Sequence, residues 1–350
     1  MEVNNRSELT VIILAAGEGK RMKSDMAKVA HRICGKPLAG YVLEAALGTG
    51  AGDCVVIVGH REDQVRACLG DKVKYVSQKK QLGTGHAVMQ AADIIASKTA
   101  LSDVMVLYGD TPLITAETLK EAISAHRLSE NAVTVITADV PDPSGYGRII
   151  RGSGDRIKRI VEHRDASPEE RQIKEINSGM YCYKAGELLK ALDRLDNRNE
   201  QGEYYLTDTV AIIAEGGKKA GAFKIADNRE IAGINDRVQL AGATAIIRER
   251  ILRGHMLGGV TIADPGAVYI EAEAVIGRDT EILPGSFIEG RTIIGERCLI
   301  GPGSRITEAE IGDGCKVACS VITGVKIPPG SDIGPFEYIN AYMHKGKGQK

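Results

Sequence analysis

Isoleucine recurs at positions 270, 276, 282, 288, 294, 300 and 306, an unbroken interval of six. Neither the 3.6-residue period of a helix nor the two-residue period of a strand produces that spacing. The register continues through Ile311, Val317, Ile322, Ile327 and Ile333, with some five-residue steps. Gly277, Gly295, Gly301, Gly312 and Gly334 each follow their isoleucine directly, where a tight corner requires a residue without Cβ. A repeat of this kind specifies a parallel β-helix, each aliphatic residue pointing inward from one face of a three-sided coil. Twelve rungs at three per coil make about four coils, a prism roughly 20 Å long at the usual strand spacing. Spacing alone leaves the handedness open, and the general crossover rule favours a right-handed path.

The first part of the chain has a different grammar. Short apolar runs at Val11 to Leu14, Cys54 to Val58, Val104 to Leu107 and Ala132 to Thr137 read as strands. Helical segments lie between or after them, near Leu38 to Leu47, Arg61 to Leu69, Thr84 to Ala96 and Thr115 to Ser129, with Pro37 suited to the first helical position. Strands alternating with helices predict right-handed crossovers and a doubly wound, mainly parallel, Rossmann-like α/β sheet. Ligands of such sheets sit beyond the carboxyl ends of the strands. Leu240, Ala243, Ile247 and Ile251 then mark one face of a linking helix that stops around Gly254 to Gly259.

The expected organisation is therefore an α/β domain over 1–236, a linker helix over 237–259, a β-helix over 260–336 and a flexible basic tail over 337–350. A net charge of −1 argues against nucleic acid or an acidic membrane as the partner, since both demand a basic field. The seven cysteines are scattered without CxxC spacing, and no signal-peptide core precedes them. They read as reduced thiols of a cytoplasmic protein.

The strand Val11 to Leu14 runs into Ala15-Ala16-Gly17-Glu18-Gly19-Lys20-Arg21-Met22, with Lys28 six residues on. Small residues admit phosphate oxygens to backbone N–H groups, and fixed cations neutralise charge as a phosphoanhydride breaks. The loop is not a Walker loop, because Arg21 stands where Ser or Thr is required. It is not a dinucleotide fingerprint either, because Met22 replaces the third glycine. Alone, it is equally a glycine turn flanked by solvated cations.

Its company decides more. L-A-A-G-E-G-K-R-M-K-S-D-M-A-K-V-A-H (14–31) is followed in order by Q-L-G-T-G-H-A-V (81–88), L-Y-G-D-T-P-L-I (107–114) and G-Y-G-R-I-I-R (145–151). V-E-H (161–163), E-I-N-S-G (175–179) and G-E-Y-Y-L-T-D (202–208) complete the series. From the first strand to about Phe336 the chain resembles the bifunctional N-acetylglucosamine-1-phosphate uridylyltransferase/glucosamine-1-phosphate acetyltransferase family. The resemblance implies a left-handed β-helix, a homotrimer and the use of UTP and N-acetylglucosamine 1-phosphate. It implies catalytic Arg21 and Lys28, and uridine nucleotide bound by the backbone of Leu14, Ala15, Ala16 and Gly17 with Lys28, Gln78, Gly83 and Thr84. Tyr108, Gly109, Gly147, Glu162 and Asn177 fall on the sugar-binding positions.

Tyr108-Gly109-Asp110 closes the strand of the run Val104 to Leu107, where a carboxylate suits Mg²⁺, a hard ion that completes its shell with phosphate and water. The family's second metal ligand falls on Asn235 of Gly233-Ile234-Asn235-Asp236-Arg237. His86 reads as a helix residue. Two departures stand out: Lys20 replaces a threonine, adding a cation, and Ala27 replaces a proline, giving up a fixed φ ahead of Lys28. A nucleotidylyltransferase for another sugar or base, and a non-catalytic UDP-sugar-binding subunit, stay open. The first is disfavoured by the Leu-Ala-Ala-Gly loop in place of the Gly-Gly-Gly type of glucose-1-phosphate adenylyltransferases. The repeat ends near Ile333 and His344 stands alone in a basic tail, so no acetyltransferase activity is expected.

Overall fold

A computed structural model describes residues 9–341. The chain divides into two compact units, one formed by residues up to His31 together with Pro37–Gln239, the other by Arg32–Lys36 together with the residues from Leu240 onward.

The first unit is built on nine strands: β1 (Leu9–Ala15), β2 (Asp53–Val58), β3 (Lys74–Ser77), β4 (Asp103–Tyr108), β5 (Val133–Asp139), β6 (Arg148–Arg151), β7 (Ile157–Val161), β8 (Glu175–Lys184) and β9 (Ala220–Lys224). The main sheet runs β9-β5-β8-β4-β1-β2-β3, and β6 pairs with β8 and β7 beside it. Every residue of β1 is buried, because helices cover both faces. Val11 and Ile13 pack with Val56, Met105 and Leu107 on one side. Ile12 packs with Val55, Ile57, Val104 and Val106 on the other. The expected mainly parallel sheet holds for β1, β2, β3 and β4 and for the β5–β9 pair. Between β4 and β5, however, β8 enters antiparallel to both. Its register shifts between Asn177 and Tyr181, and Gly179 at φ 81° lies against the Tyr108 ring.

One expected helix is broken. Residues 84–96 form two helices, Thr84–Met89 and Ala92–Ala96. At the break the Gln90 side chain donates to the His86 carbonyl, the acceptor its own backbone N–H would use in a continuous helix, and that N–H turns to Ala87 instead. Pro37 is the residue before the Leu38–Gly48 helix rather than its first member.

In the second unit the helix Arg237–Leu257 precedes fourteen short strands in three parallel sheets of five, five and four. Ile262, Ile282, Ile300, Val317 and Ile333 stack in one sheet. Ile270, Ile288, Ile306, Ile322 and Ile339 stack in the second, and Ile276, Ile294, Ile311 and Ile327 in the third. This is the hexapeptide β-helix, of the left-handed class, with four full coils and two strands of a fifth. The corner glycines answer to stacking: a Cβ on Gly277 would lie 2.6 Å from the Gly295 carbonyl carbon, and one on Gly312 2.5 Å from Pro329 N.

The coil also runs further than its composition implied. Tyr338–Asn340, expected in a flexible tail, pairs in parallel with Val321–Thr323 and places Ile339 six residues after Ile333. Outward positions of the coils, such as Glu281, Arg305, Glu310, Lys316 and Lys326, are often polar, so polarity there is no stop signal. The rest of that tail, 342–350 with His344, lies outside the described residues.

Candidate active site

The loop after β1 turns sharply, with Gly19 at φ 66° and Lys23 at φ 47° bracketing one helical turn over Lys20–Met22. Met22 anchors it, 1% exposed, and the Arg237 guanidinium donates to the Met22 carbonyl at 3.3 Å. Lys20 is spent partly on a surface ion pair with Glu18, 3.1 Å away. Arg21 is exposed on the turn and does not line the cleft beside it. In front of Gly17 the space is open, for a Cβ there would meet no protein atom within 4 Å.

Lys28 comes from a second short turn, Lys28–Ala30, and its ammonium is the centre of the polar cluster. It pairs with Asp110 Oδ2 and donates to Asn235 Oδ1 at 3.2 Å. Asp110 lies two residues beyond β4, and its carbonyl accepts from Ile234 N at 2.9 Å, which brings the 233–235 turn to the end of that strand. Gln239 Oε1 accepts from Asn235 N at 2.7 Å. Two hard oxygens thus converge on one cation position. Among the described residues no group of three or more His, Cys, Asp and Glu side chains is placed to hold a metal unaided. A carboxylate and an amide oxygen fit a divalent ion that takes its other ligands from phosphate and water.

A cleft of about 530 Å³ opens from this cluster. Leu14, Ala15, Ala16, Gly17, Gln78, Gly83 and Thr84 line it together with Lys28, Tyr108, Asp110 and Asn235. Gln78 is 3% exposed, and its Nε2 lies 3.1 Å from the Gly83 carbonyl and 3.0 Å from His86 Nδ1. His86, a helix residue as expected, braces it, and the amide oxygen is left for a ligand. Val29, Gln81, Ala87 and Glu203 also line the cleft, though the sequence singled out none of them individually. Glu203 belongs to a segment whose backbone closes on the 82–85 turn, with Tyr204 N donating to Leu82 and Gly85 N to Tyr204. That closeness explains Gly83, at φ 109°, where a Cβ would stand 2.5 Å from the Tyr204 carbonyl oxygen.

The expected sugar residues form a neighbouring group. A Cβ on Gly147 would lie 3.5 Å from Asn177 Cβ and 3.6 Å from Glu162 Oε1, so these three adjoin, though none lines the cleft itself. Burial pushes the Glu162 carboxyl above the usual range. Tyr108 connects the two groups: burial first, then the charge of Glu162, with Asp110 and Glu203 adding, holds its hydroxyl well above the ordinary tyrosine pKa. Asn177 is largely committed within the protein, donating to the Tyr181 hydroxyl at 2.8 Å and accepting from Gly179 N at 3.0 Å. One N–H and one lone pair remain for a ligand. Gly109 turns away, its N–H bonded to the Leu14 carbonyl at 2.9 Å, where it pins the loop strand to β4.

A glycine loop and a lysine beside a carboxylate–amide pair at the carboxyl end of a parallel sheet, in a chain that also carries a hexapeptide β-helix, define a nucleotide-handling transferase. Residues 10–236 match the nucleotidyl transferase family, and 273–308 match the six-repeat bacterial transferase hexapeptide family. The chain is 52% identical over 342 residues to the bifunctional protein GlmU of Acetivibrio thermocellus, covering 98% of this chain and 74% of the relative. It is 50% identical over 332 residues to GlmU of Caldanaerobacter subterraneus subsp. tengcongensis, covering 95% of this chain and 72% of that protein. With GlmU of Clostridioides difficile the identity is 45% over 339 residues, 97% of this chain and 73% of the relative. The chain belongs to the nucleotidyl transferase family and, within it, to the GlmU proteins.

Proposed function

We propose that this chain transfers the uridylyl group of UTP to N-acetylglucosamine 1-phosphate, giving UDP-N-acetylglucosamine and pyrophosphate. The observation that carries the reading is the convergence of Lys28, Asp110 and Asn235 at the end of β4, facing the open backbone of Gly17 across one cleft. The sugar phosphate oxygen attacks the α-phosphorus, the bond to the oxygen bridging the α- and β-phosphorus breaks, and pyrophosphate leaves with that electron pair. The nucleophile is already an anion, so the chain's own work is positioning and charge neutralisation. The Leu14–Gly17 backbone and Lys28 receive the phosphates, Gln78 with Gly83 and Thr84 the uracil, and Gly147, Glu162 and Asn177 the amino sugar. Arg21, free on its exposed turn, neutralises the departing pyrophosphate. Mg²⁺ held by Asp110 and Asn235 would supply further neutralisation of the phosphate oxygens.

A homotrimer and a cytoplasmic setting belong to the same reading. The β-helix exposes Tyr269, Val275, Phe287, Ile293 and Tyr338, with Tyr269 and Phe287 stacked at 4.8 Å, an apolar array suited to covering by a second copy. No helix among the described residues is long and apolar enough to cross a membrane.

Steady-state pyrophosphate release with UTP and a panel of sugar 1-phosphates tests the substrate assignment. Glucosamine 1-phosphate should be a far poorer substrate, because it leaves buried polar groups unpaired. Arg21→Ala should lower kcat roughly 10²- to 10³-fold, the usual loss of one transition-state donor. Equal kcat/KM for the two sugars, or unchanged turnover by the Arg21 variant, would contradict those roles.

A further inference from the structure

Ala27 holds the backbone entering Lys28 at φ −55° and ψ 136°. A proline ring would fix that φ covalently; an alanine does not. The residue is 2% exposed, and its N–H donates to Gln64 Oε1 at 2.7 Å, a bond that proline could not make. The other end of the same amide donates to the Asp25 carbonyl at 3.2 Å. Gln64 stands on the helix Glu62–Leu69, which is seated by buried Val65 and Leu69. A side chain on a seated helix therefore grips two backbone groups of the 25–27 segment. The next residue is the lysine whose ammonium meets Asp110 and Asn235. The freedom that alanine at 27 gives the backbone is thus restrained from outside the loop.

We infer that Gln64 is a positioning residue for the transfer reaction: its amide clamps the Asp25–Ala27 backbone and so aims Lys28, replacing with two hydrogen bonds a restraint that a ring would supply. The inference rests on the assignment of Lys28 to the substrate phosphates. It also predicts interference between the two devices. A proline Cδ at residue 27 would occupy the place of the donated hydrogen and push the Gln64 amide aside. With Gln64 cut back to alanine that space is empty.

The test compares wild type, Gln64→Ala, Ala27→Pro, the double variant and Lys28→Met by kcat, KM for UTP and melting temperature. Gln64→Ala should lose roughly tenfold in kcat, about the worth of one hydrogen bond expressed in positioning, with KM for UTP changed far less. Adding Ala27→Pro to Gln64→Ala should return kcat to within about threefold of wild type, whereas Ala27→Pro alone should not improve on wild type. If Gln64→Ala does not fold, Gln64→Glu keeps the acceptor for Ala27 N–H and should retain most of kcat. Wild-type kcat in Gln64→Ala, a double variant no faster than Gln64→Ala, or a Gln64→Glu as slow as Lys28→Met each overturns the clamp. Lys28→Met with unchanged turnover overturns instead the reading on which it rests, so the two failures are distinguishable.

Discussion

Gly17 and Gly19 stand two residues apart in one loop, and the structure gives them opposite reasons to be glycine. Gly17 does not use a left-handed φ, and a Cβ on it would meet no protein atom within 4 Å. Gly19 sits at φ 66°, and a Cβ on it would lie 2.6 Å from Lys28 Cβ and 3.3 Å from Lys28 Cγ. Gly17→Ala should therefore leave the fold intact, or raise its stability by about 0.4–1 kcal/mol, because alanine narrows the unfolded ensemble. Its methyl instead fills the approach to the backbone where phosphate is proposed to lie, and a misplacement of about 1 Å costs roughly 10²-fold in kcat/KM. Gly19→Ala takes on about 1–2 kcal/mol of left-handed strain. It also drives Lys28 outward, since carbon atoms in contact stand about 3.5–4 Å apart. That displacement of about 1 Å should again cost roughly 10² in kcat/KM, now with a fall in melting temperature. Pyrophosphate release and thermal melts on the same preparations separate the two cases. Unchanged kcat/KM in Gly17→Ala would refute the placing of phosphate at this loop. A melting temperature depressed as far in Gly17→Ala as in Gly19→Ala would refute the claim of open space.

Two further predictions concern carboxylates that do not line the cleft. Burial, helped by the charges of Asp196 and Asp165, raises the Asp208 carboxyl to about 6. The folded form then holds its proton more tightly than the unfolded chain, whose aspartates titrate near about 3.9. The resulting cost to stability is absent below about pH 4, grows to about pH 6 and is complete above it. Asp208→Asn should raise the melting temperature at pH 7.5 but not at pH 4; a lower value at pH 7.5 contradicts this. Asp103 opens β4, the far end of the strand from Asp110, with its carboxylate 4% exposed and paired to Lys184 at 2.7 Å and Arg127 at 2.6 Å. Burial alone would raise its pKa, but the His126 ring 3.5 Å away and hydrogen bonds from Lys184 and Arg127 hold it well below the usual range. Asp103→Ala should cost about 2–3 kcal/mol, under the figure for a fully buried pair because both cations keep contact with water. That loss should shrink as the pH falls below about 4 and leave kcat unchanged. Stability within 0.5 kcal/mol of wild type in chemical denaturation, a margin about that of an ordinary surface substitution, would contradict it.

The β-helix was readable because each rung contributes one enclosed aliphatic residue, and coil stacking converts that into a fixed interval along the chain. Its final strand escaped because the polar, glycine-rich residues that follow it in the sequence masked the one further rung at Ile339. Strands β1, β2, β4 and β5 were readable for a related reason, since strands covered on both faces are largely apolar, whereas β3, with exposed Lys74 and only half-buried neighbours, gave no such run. The stretch from 140 to 225 was not readable, since β6 and β7 form a side ladder and β8 is interrupted at Ser178-Gly179 by its register shift. Asp110 was legible as a carboxylate at the end of a parallel strand. Gln64, Gln81, Glu203 and Arg237 were not, because their parts depend on contacts 37 to 215 residues away in sequence, or on shaping a cavity, and no local pattern records either. The departure at Ala27 was visible as a lost constraint on φ, but the Gln64 hydrogen bonds that restrain the approach to Lys28 were not.

The most direct test of the account is product analysis after incubating the full chain with UTP and N-acetylglucosamine 1-phosphate, with Mg²⁺ or with excess chelator, alongside Asp110→Asn. UDP-N-acetylglucosamine and pyrophosphate should appear in equal amounts with wild type and Mg²⁺. They should fall roughly 10²-fold or more with chelator or with the Asp110 variant, in keeping with the loss of a charge-stabilising group. Absence of both products from wild type with Mg²⁺, or equal rates from wild type and Asp110→Asn, would contradict it.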